Sequence, residues 1–86
     1  MTGRPFQLKI ISPEGVIFDG EVAKASFPGA LEPFMVLYNH APLISTLKAG
    51  KISWSGAKDE ELAIEAGFVE VNNNIVVACV ERNKYE

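Results

Sequence analysis

Turn-forming residues recur at close, regular intervals along this chain. Ser12-Pro13-Glu14-Gly15, Asp19-Gly20, Pro28-Gly29, Asn39-His40-Ala41-Pro42, Ala49-Gly50, Ser55-Gly56, Gly67 and Asn72-Asn73-Asn74 punctuate it. Glycine and asparagine tolerate the left-handed backbone that tight turns need, and proline presets φ. Between these signals lie runs of four to eight residues. That spacing points to an all-β sandwich or barrel.

The runs carry the strand period. Phe6, Leu8 and Ile10 alternate with Gln7 and Lys9, and Ile52 and Trp54 alternate with Lys51, Ser53 and Ser55. Leu62, Ile64 and Ala66 alternate with Glu61, Ala63 and Glu65, while Val69 and Val71 flank Glu70. Such alternation places one set of side chains on each face of a strand. Val16-Ile17-Phe18, Val22–Phe27 and Phe34–Leu37 read as further short strands. Ile75–Val80 is apolar throughout, which predicts a central strand covered on both faces. Two segments compete as helices. Asp59–Ala66 has good helix formers but is stopped by Gly67, and helices that short are marginal. Leu43, Ile44 and Leu47 have helical spacing, but Pro42 and Gly50 confine them to two turns at most.

At 86 residues the chain is expected to form one domain, residues 1–86, with a polar, frayed tail over 81–86. A lone cysteine and a lone histidine exclude an internal disulfide and a four-ligand zinc cluster. The 8 basic residues are scattered against 11 acidic ones, so no cluster exists to neutralise several phosphates, and no nucleic-acid partner is expected. The longest apolar run is six residues, against about 20 for a membrane span. The N-terminus lacks the apolar stretch of a signal peptide. These features fit a soluble domain in a reducing compartment.

Individual residues give little chemistry. His40 has no partner in a nucleophile motif, so a loop contact is the better reading than a catalytic one. Cys79 stands mid-run among apolar residues and reads as core. Asp59, Glu60, Glu61 and Glu65 lack the register of a calcium loop and read as a solvated hairpin. The glycines form no phosphate cradle. Lys24 falls inside a run, not at the hairpin tip where a carrier domain presents its modified lysine. What stands out is the segment Phe27–Leu43, with three prolines and apolar loop residues such as Leu31 and Pro33. Apolar surface in a loop of a small domain marks a partner interface unless the segment folds over its own core.

The motifs of this segment and its flanks, in order, resemble the N-terminal domain of the epsilon subunit of F-type ATP synthases. The resemblance is carried by Leu8–Gly15, Val16-Ile17-Phe18-Asp19-Gly20-Glu21-Val22, Phe27-Pro28-Gly29, Val36-Leu37 with His40-Ala41-Pro42-Leu43, Leu47–Gly50, and Ala66–Val71 with Asn74–Val77. Each motif is weak alone, but their shared order across nearly the whole chain is specific. The sequence departs from the family pattern at Leu31, Glu32, Pro33 and Met35, at Tyr38-Asn39 where Pro-Gly is usual, and at Ala66.

The resemblance implies a flattened sandwich of two mainly antiparallel sheets with about ten short strands. It implies a non-catalytic rotor subunit without cofactors, supporting the coupling of proton flow to ATP synthesis. Such a subunit links the gamma central stalk to the c-ring, peripheral to the cytoplasmic face of the bacterial inner membrane. By position in the motifs, Leu31, Glu32, Pro33 and His40 would contact the c-ring loops. Ser12, Ala41, Pro42, Leu43 and Ser45 would contact gamma. Many family members continue into an ATP-binding helical hairpin. A chain ending at Glu86 is expected to bind no ATP. The alternative function is a free-standing β-module, either a carrier or a small-ligand binder.

Overall fold

A computed structural model describes residues 4–82. Eight strands follow in chain order: β1 (Phe6–Ser12), β2 (Gly15–Val22), β3 (Lys24–Phe27), β4 (Phe34–Val36), β5 (Leu43–Leu47), β6 (Gly50–Ser55), β7 (Asp59–Asn72) and β8 (Ile75–Arg82). The described residues contain no helix. Leu43–Leu47, whose spacing also suited a helix, is a strand, and so is Asp59–Ala66. All pairings are antiparallel except β1 with β8.

The strand order is β2-β1-β8-β7-β6-β3-β4, with β5 also on β7. One edge of β7 pairs with β8 along most of its length. Its other edge is shared: residues 59–64 pair with β6, and residues 67–71 pair with β5. The hinge lies at Glu65, where a bulge shifts the register against β8 between Ile64 and Ala66. Opposite it, Lys48-Ala49 separates β5 from β6. The pairings thus divide into two layers. One holds β2, β1, β8, the second half of β7 and β5; the other holds the first half of β7, β6, β3 and β4.

A bulge adds one residue to one strand and so reverses which alternate residues face inward. Before Glu65, the even positions Leu62 and Ile64 are the more buried; after it, the odd positions Val69 and Val71 are. This phase change is why the sequence reads as two runs where the structure has one strand of 14 residues. The eight strands are close to the ten or so that the resemblance implied. Gly67 continues the strand and does not end it. A Cβ there would collide with the Cys79 carbonyl and crowd Val80 Cα, so the close approach of β8 requires glycine. Asp19-Gly20, expected as a turn, lies inside β2.

Inward-facing residues of both layers make one core. It includes Leu8, Ile10, Phe27, Ile52, Val69, Val71 and Val76, all nearly inaccessible, and no polar side chain is buried among the described residues. Phe18 and Trp54 bridge the layers with ring centroids 5.0 Å apart. The body measures 39 × 26 × 19 Å, flattened as the resemblance implied. Of the expected polar tail, Glu81 and Arg82 complete β8, and residues 83–86 lie outside the described residues.

β8 differs from its expectation on one face. It is central in the hydrogen-bonded order, yet only Val76, Ala78 and Val80 are buried. Ile75 is exposed, and Val77 and Cys79 are half-buried, because no layer covers the outer side of this sheet. Cys79, read as core, therefore lies on the outer face.

Candidate functional site: an apolar outer face and two loops

The pairing registers define rows of side chains across the outer face of the β2-β1-β8-β7-β5 layer. One row reads Thr46, Phe68, Cys79, Ile11, Val16. Five strands at the usual separation make it roughly 20 Å long. Phe68 is 50% and Val16 58% exposed. The adjacent row reads Ile44, Glu70, Val77, Lys9, Asp19, with Ile44 at 74% exposure. Ile11, Pro13, Ala66, Phe68 and Cys79 line a shallow depression of about 380 Å³ on this face. An apolar patch of this kind on the outside of a small domain is a candidate docking surface.

Two loops flank this layer, at opposite ends of β4. The first, residues 28–33, is tied to the end of β5. Lys48 N–H donates to the Pro28 carbonyl and Ala30 N–H donates to the Thr46 carbonyl, both at 2.9 Å. At its tip Leu31 is 99% exposed, with Glu32 and Pro33 also exposed. Nothing in the core holds Leu31, so its apolar side chain is free for a partner. The remainder of Phe27–Leu43 partly covers the domain's own core, since Phe27, Pro28, Gly29 and Val36 are buried.

The second loop, residues 37–42, enters β5. His40 N–H donates to the Leu37 carbonyl at 3.1 Å, closing a turn in which Asn39 has φ of 64°. Asn39 thus keeps a left-handed conformation at a position where the resemblance expects glycine. His40 Nδ1 lies 2.7 Å from the Ala41 carbonyl oxygen, and the ring is half-buried. No carboxylate or nucleophile bonds to it among the described hydrogen bonds.

The structure groups the candidate residues differently from the motifs. Leu31, Glu32 and Pro33 stand together, whereas His40 lies across β4 with Ala41, Pro42 and Leu43. Ser12 closes the β1–β2 hairpin at the far end of the layer from Leu43. Its hydroxyl accepts from Glu14 N–H at 3.2 Å. Leu43 and Ser45 lie in inward rows, with Leu43 packed on the core and the Ser45 hydroxyl donating to the Thr46 carbonyl at 3.0 Å. The outward residues of β5 are Ile44 and Thr46. Ile44, Phe68, Val16 and Ile75 were missed in the sequence. The signal available for them was an apolar residue at the polar phase of an alternating strand.

Other candidates gain no support. The run Val22–Phe27 is broken at Ala23, and Lys24 opens β3 on the outer face; β2 and β3 do not pair, so Lys24 is not at a hairpin tip. The acidic residues near Asp59 belong to the β6–β7 hairpin, where the Ser55 hydroxyl donates to Asp59 Oδ1 at 2.8 Å and Lys51 pairs with Glu61 at 3.3 Å.

A family model described as the beta-sandwich domain of the ATP synthase delta/epsilon chain matches residues 5–84. The chain belongs to that family. It is 36% identical over 80 residues to the ATP synthase epsilon chain of Chlorobium limicola, covering 91% of each chain. It is 43% identical over 77 residues to that of a Nitratiruptor species, covering 87% of this chain and 60% of the relative. It therefore spans nearly all of one relative and about three-fifths of the other. Its fold matches a chain of the Euglena gracilis mitochondrial ATP synthase with TM-score 0.83 at 19% identity, covering 93% and 52% of the two chains. A chain from the central stalk and c-ring of the Tetrahymena thermophila enzyme matches with TM-score 0.77 at 12% identity, covering 94% and 66%. At those identities the likeness concerns the fold. Membership in the epsilon-chain family makes this a subunit domain of the synthase complex, peripheral to the membrane through that complex.

Proposed function

We propose that this epsilon-type domain is a non-catalytic rotor element of a proton-translocating ATP synthase, seated between the gamma subunit and the c-ring. Its proposed location is the cytoplasmic face of a bacterial inner membrane. The observation that carries the reading is the partly exposed apolar row through Phe68, Cys79, Ile11 and Val16 on the outer face of one layer. Torque transmission requires a stiff body with a broad docking face and no titrating group. A close-packed two-layer core supplies that stiffness.

In this reading gamma covers the apolar face and the β5 entrance, meeting Ile44 and Phe68 together with Ala41, Pro42, Leu43, Ser45 and, at the far end, Ser12. The projecting loop Leu31-Glu32-Pro33 faces the c-ring. His40 shares the loop of Ala41 and Pro42 and is assigned with them to the gamma side. Glu32 supplies the carboxylate for a basic ring loop; an exposed pair of that kind contributes at most about 1 kcal/mol. Apolar contact therefore dominates both interfaces.

The test is association with the gamma subunit of the cognate synthase. A folded domain, verified by its thermal transition, is expected to form a complex at micromolar concentration. A folded domain that forms none overturns the proposal.

A further inference from the structure

The His40 loop is held from outside its own segment. Asn39 occupies the third position of the turn Leu37–His40, with φ of 64°. A single backbone bond closes this turn, and an exposed loop secured so lightly opens readily. Here a clasp adds to it. Asn39 N–H donates to Asn74 Oδ1 at 2.6 Å, and Asn74 Nδ2 donates to Asn39 Oδ1 at 3.0 Å. The two bonds require opposite ends of the Asn74 amide, so together they define its orientation.

Asn74 is itself anchored. It is the second residue of the two-residue turn between Asn72 and Ile75, where Asn73 and Asn74 have φ of 52° and 63°. Paired positive φ values are those of the tight hairpin turn that matches strand twist. The Asn74 carbonyl also accepts from Gln7 N–H at 3.0 Å, tying the turn to β1. The clasp thus joins a light loop to a corner built from three strands. A second tether lies alongside, with the Arg4 guanidinium 4.7 Å from the centroid of the Tyr38 ring.

We propose that Asn74 is a positioning residue for partner docking: its side chain clasps Asn39 and holds residues 37–42 in the conformation that meets the partner. This rests on the reading that the loop contacts gamma. A loop already ordered does not have to be ordered on association, and apparent affinity falls in proportion to the fraction of competent loop.

The test uses the full chain and three variants. Asn74→Gly keeps the left-handed backbone and creates Asn-Gly, a favoured sequence for this turn, while deleting both clasp bonds. Asn74→Asp keeps the acceptor for Asn39 N–H, loses the donor and sets a carboxylate oxygen opposite Asn39 Oδ1. Asn39→Gly keeps its φ and N–H and loses only the acceptor. Amide hydrogen exchange is read residue by residue on the free chain, and the dissociation constant is measured with gamma.

In Asn74→Gly the Asn39 amide is expected to exchange about tenfold faster while β7 and β8 amides keep their protection. The dissociation constant for gamma is expected to rise about three- to tenfold. Asn74→Asp and Asn39→Gly each keep the bond from Asn39 N–H and are expected to fall between Asn74→Gly and the unaltered chain. Unchanged exchange at Asn39 in Asn74→Gly overturns the clasp. Faster exchange with unchanged gamma affinity overturns the positioning role, as does equal loss of protection throughout β7 and β8. Should the unaltered chain not bind gamma, the docking reading falls, and the exchange measurement still decides whether Asn74 holds the loop.

Discussion

The two layers of the sandwich share one core and differ on their outer faces. Outside β3, β6 and the first half of β7 stand Lys24, Ser26, Lys51, Ser53, Asp59 and Glu61. Outside β1, β8 and the second half of β7 stand Ile11, Val77, Cys79 and Phe68, with Lys9 and Glu70 among them. Both faces obey the same strand alternation, so alternation alone explains neither composition. The polar face suits water; the apolar face suits another protein. The same long strand contributes to both, changing its inward phase at Glu65. The difference shows how a small domain can reserve one side for its complex without giving up core.

The largest effect is expected from deleting Glu65. Removing the extra residue realigns the two halves of β7 and turns Val69 and Val71 toward solvent. Losing two buried valines at about 1.5–3 kcal/mol each, together with the β5 pairing, removes most of the stability of so small a domain. The expected result is no cooperative thermal transition by circular dichroism. A variant that melts cooperatively near the original temperature would show that the bulge does not divide the faces.

Gly67→Ala should come next. Its methyl group meets the Cys79 carbonyl and Val80 Cα. Overpacking of this kind costs about 1–3 kcal/mol, read as a lowered midpoint in urea. A smaller effect falls on association. Phe68→Ser is expected to leave stability within about 1 kcal/mol and to weaken gamma binding about tenfold, as for a central apolar contact. Equal binding by Phe68→Ser would move the interface off the apolar face. The smallest effect belongs to the polar layer. Lys51→Ala removes the exposed pair with Glu61, and both stability and gamma binding should stay within about 0.5 kcal/mol. Weakened binding there would place a partner on the polar face as well.

Much of this fold was legible in the chain. Phe6, Leu8 and Ile10 alternate as read, and all three are buried. Asn72-Asn73-Asn74 marked the β7–β8 turn, and Ser12-Pro13-Glu14-Gly15 the β1–β2 turn. Asp19-Gly20 misled because a glycine can serve inside a strand, here beneath the Phe18 ring. Ile75–Val80 misled because an apolar run predicts burial by something, and the isolated chain supplies cover on one side only. The candidate site was half visible. The Leu31 loop declared itself through apolar residues among prolines. Phe68 was harder to find, since the outward phase of the second half of β7 depends on a bulge with no sequence signature at Glu65, and Ile44 showed only as an apolar residue at the outward phase of β5.

By itself the sequence determined the class, most of the turns and the family, because those depend on local chemistry: left-handed residues, proline, period-two alternation and ordered motifs. Only the tertiary structure decided which alternate residues face water, that His40 and Leu31 lie at opposite ends of β4, and that Asn39 meets Asn74 across 35 residues. Those facts depend on register between distant strands, and register is settled where the strands pair, not along the chain that supplies them.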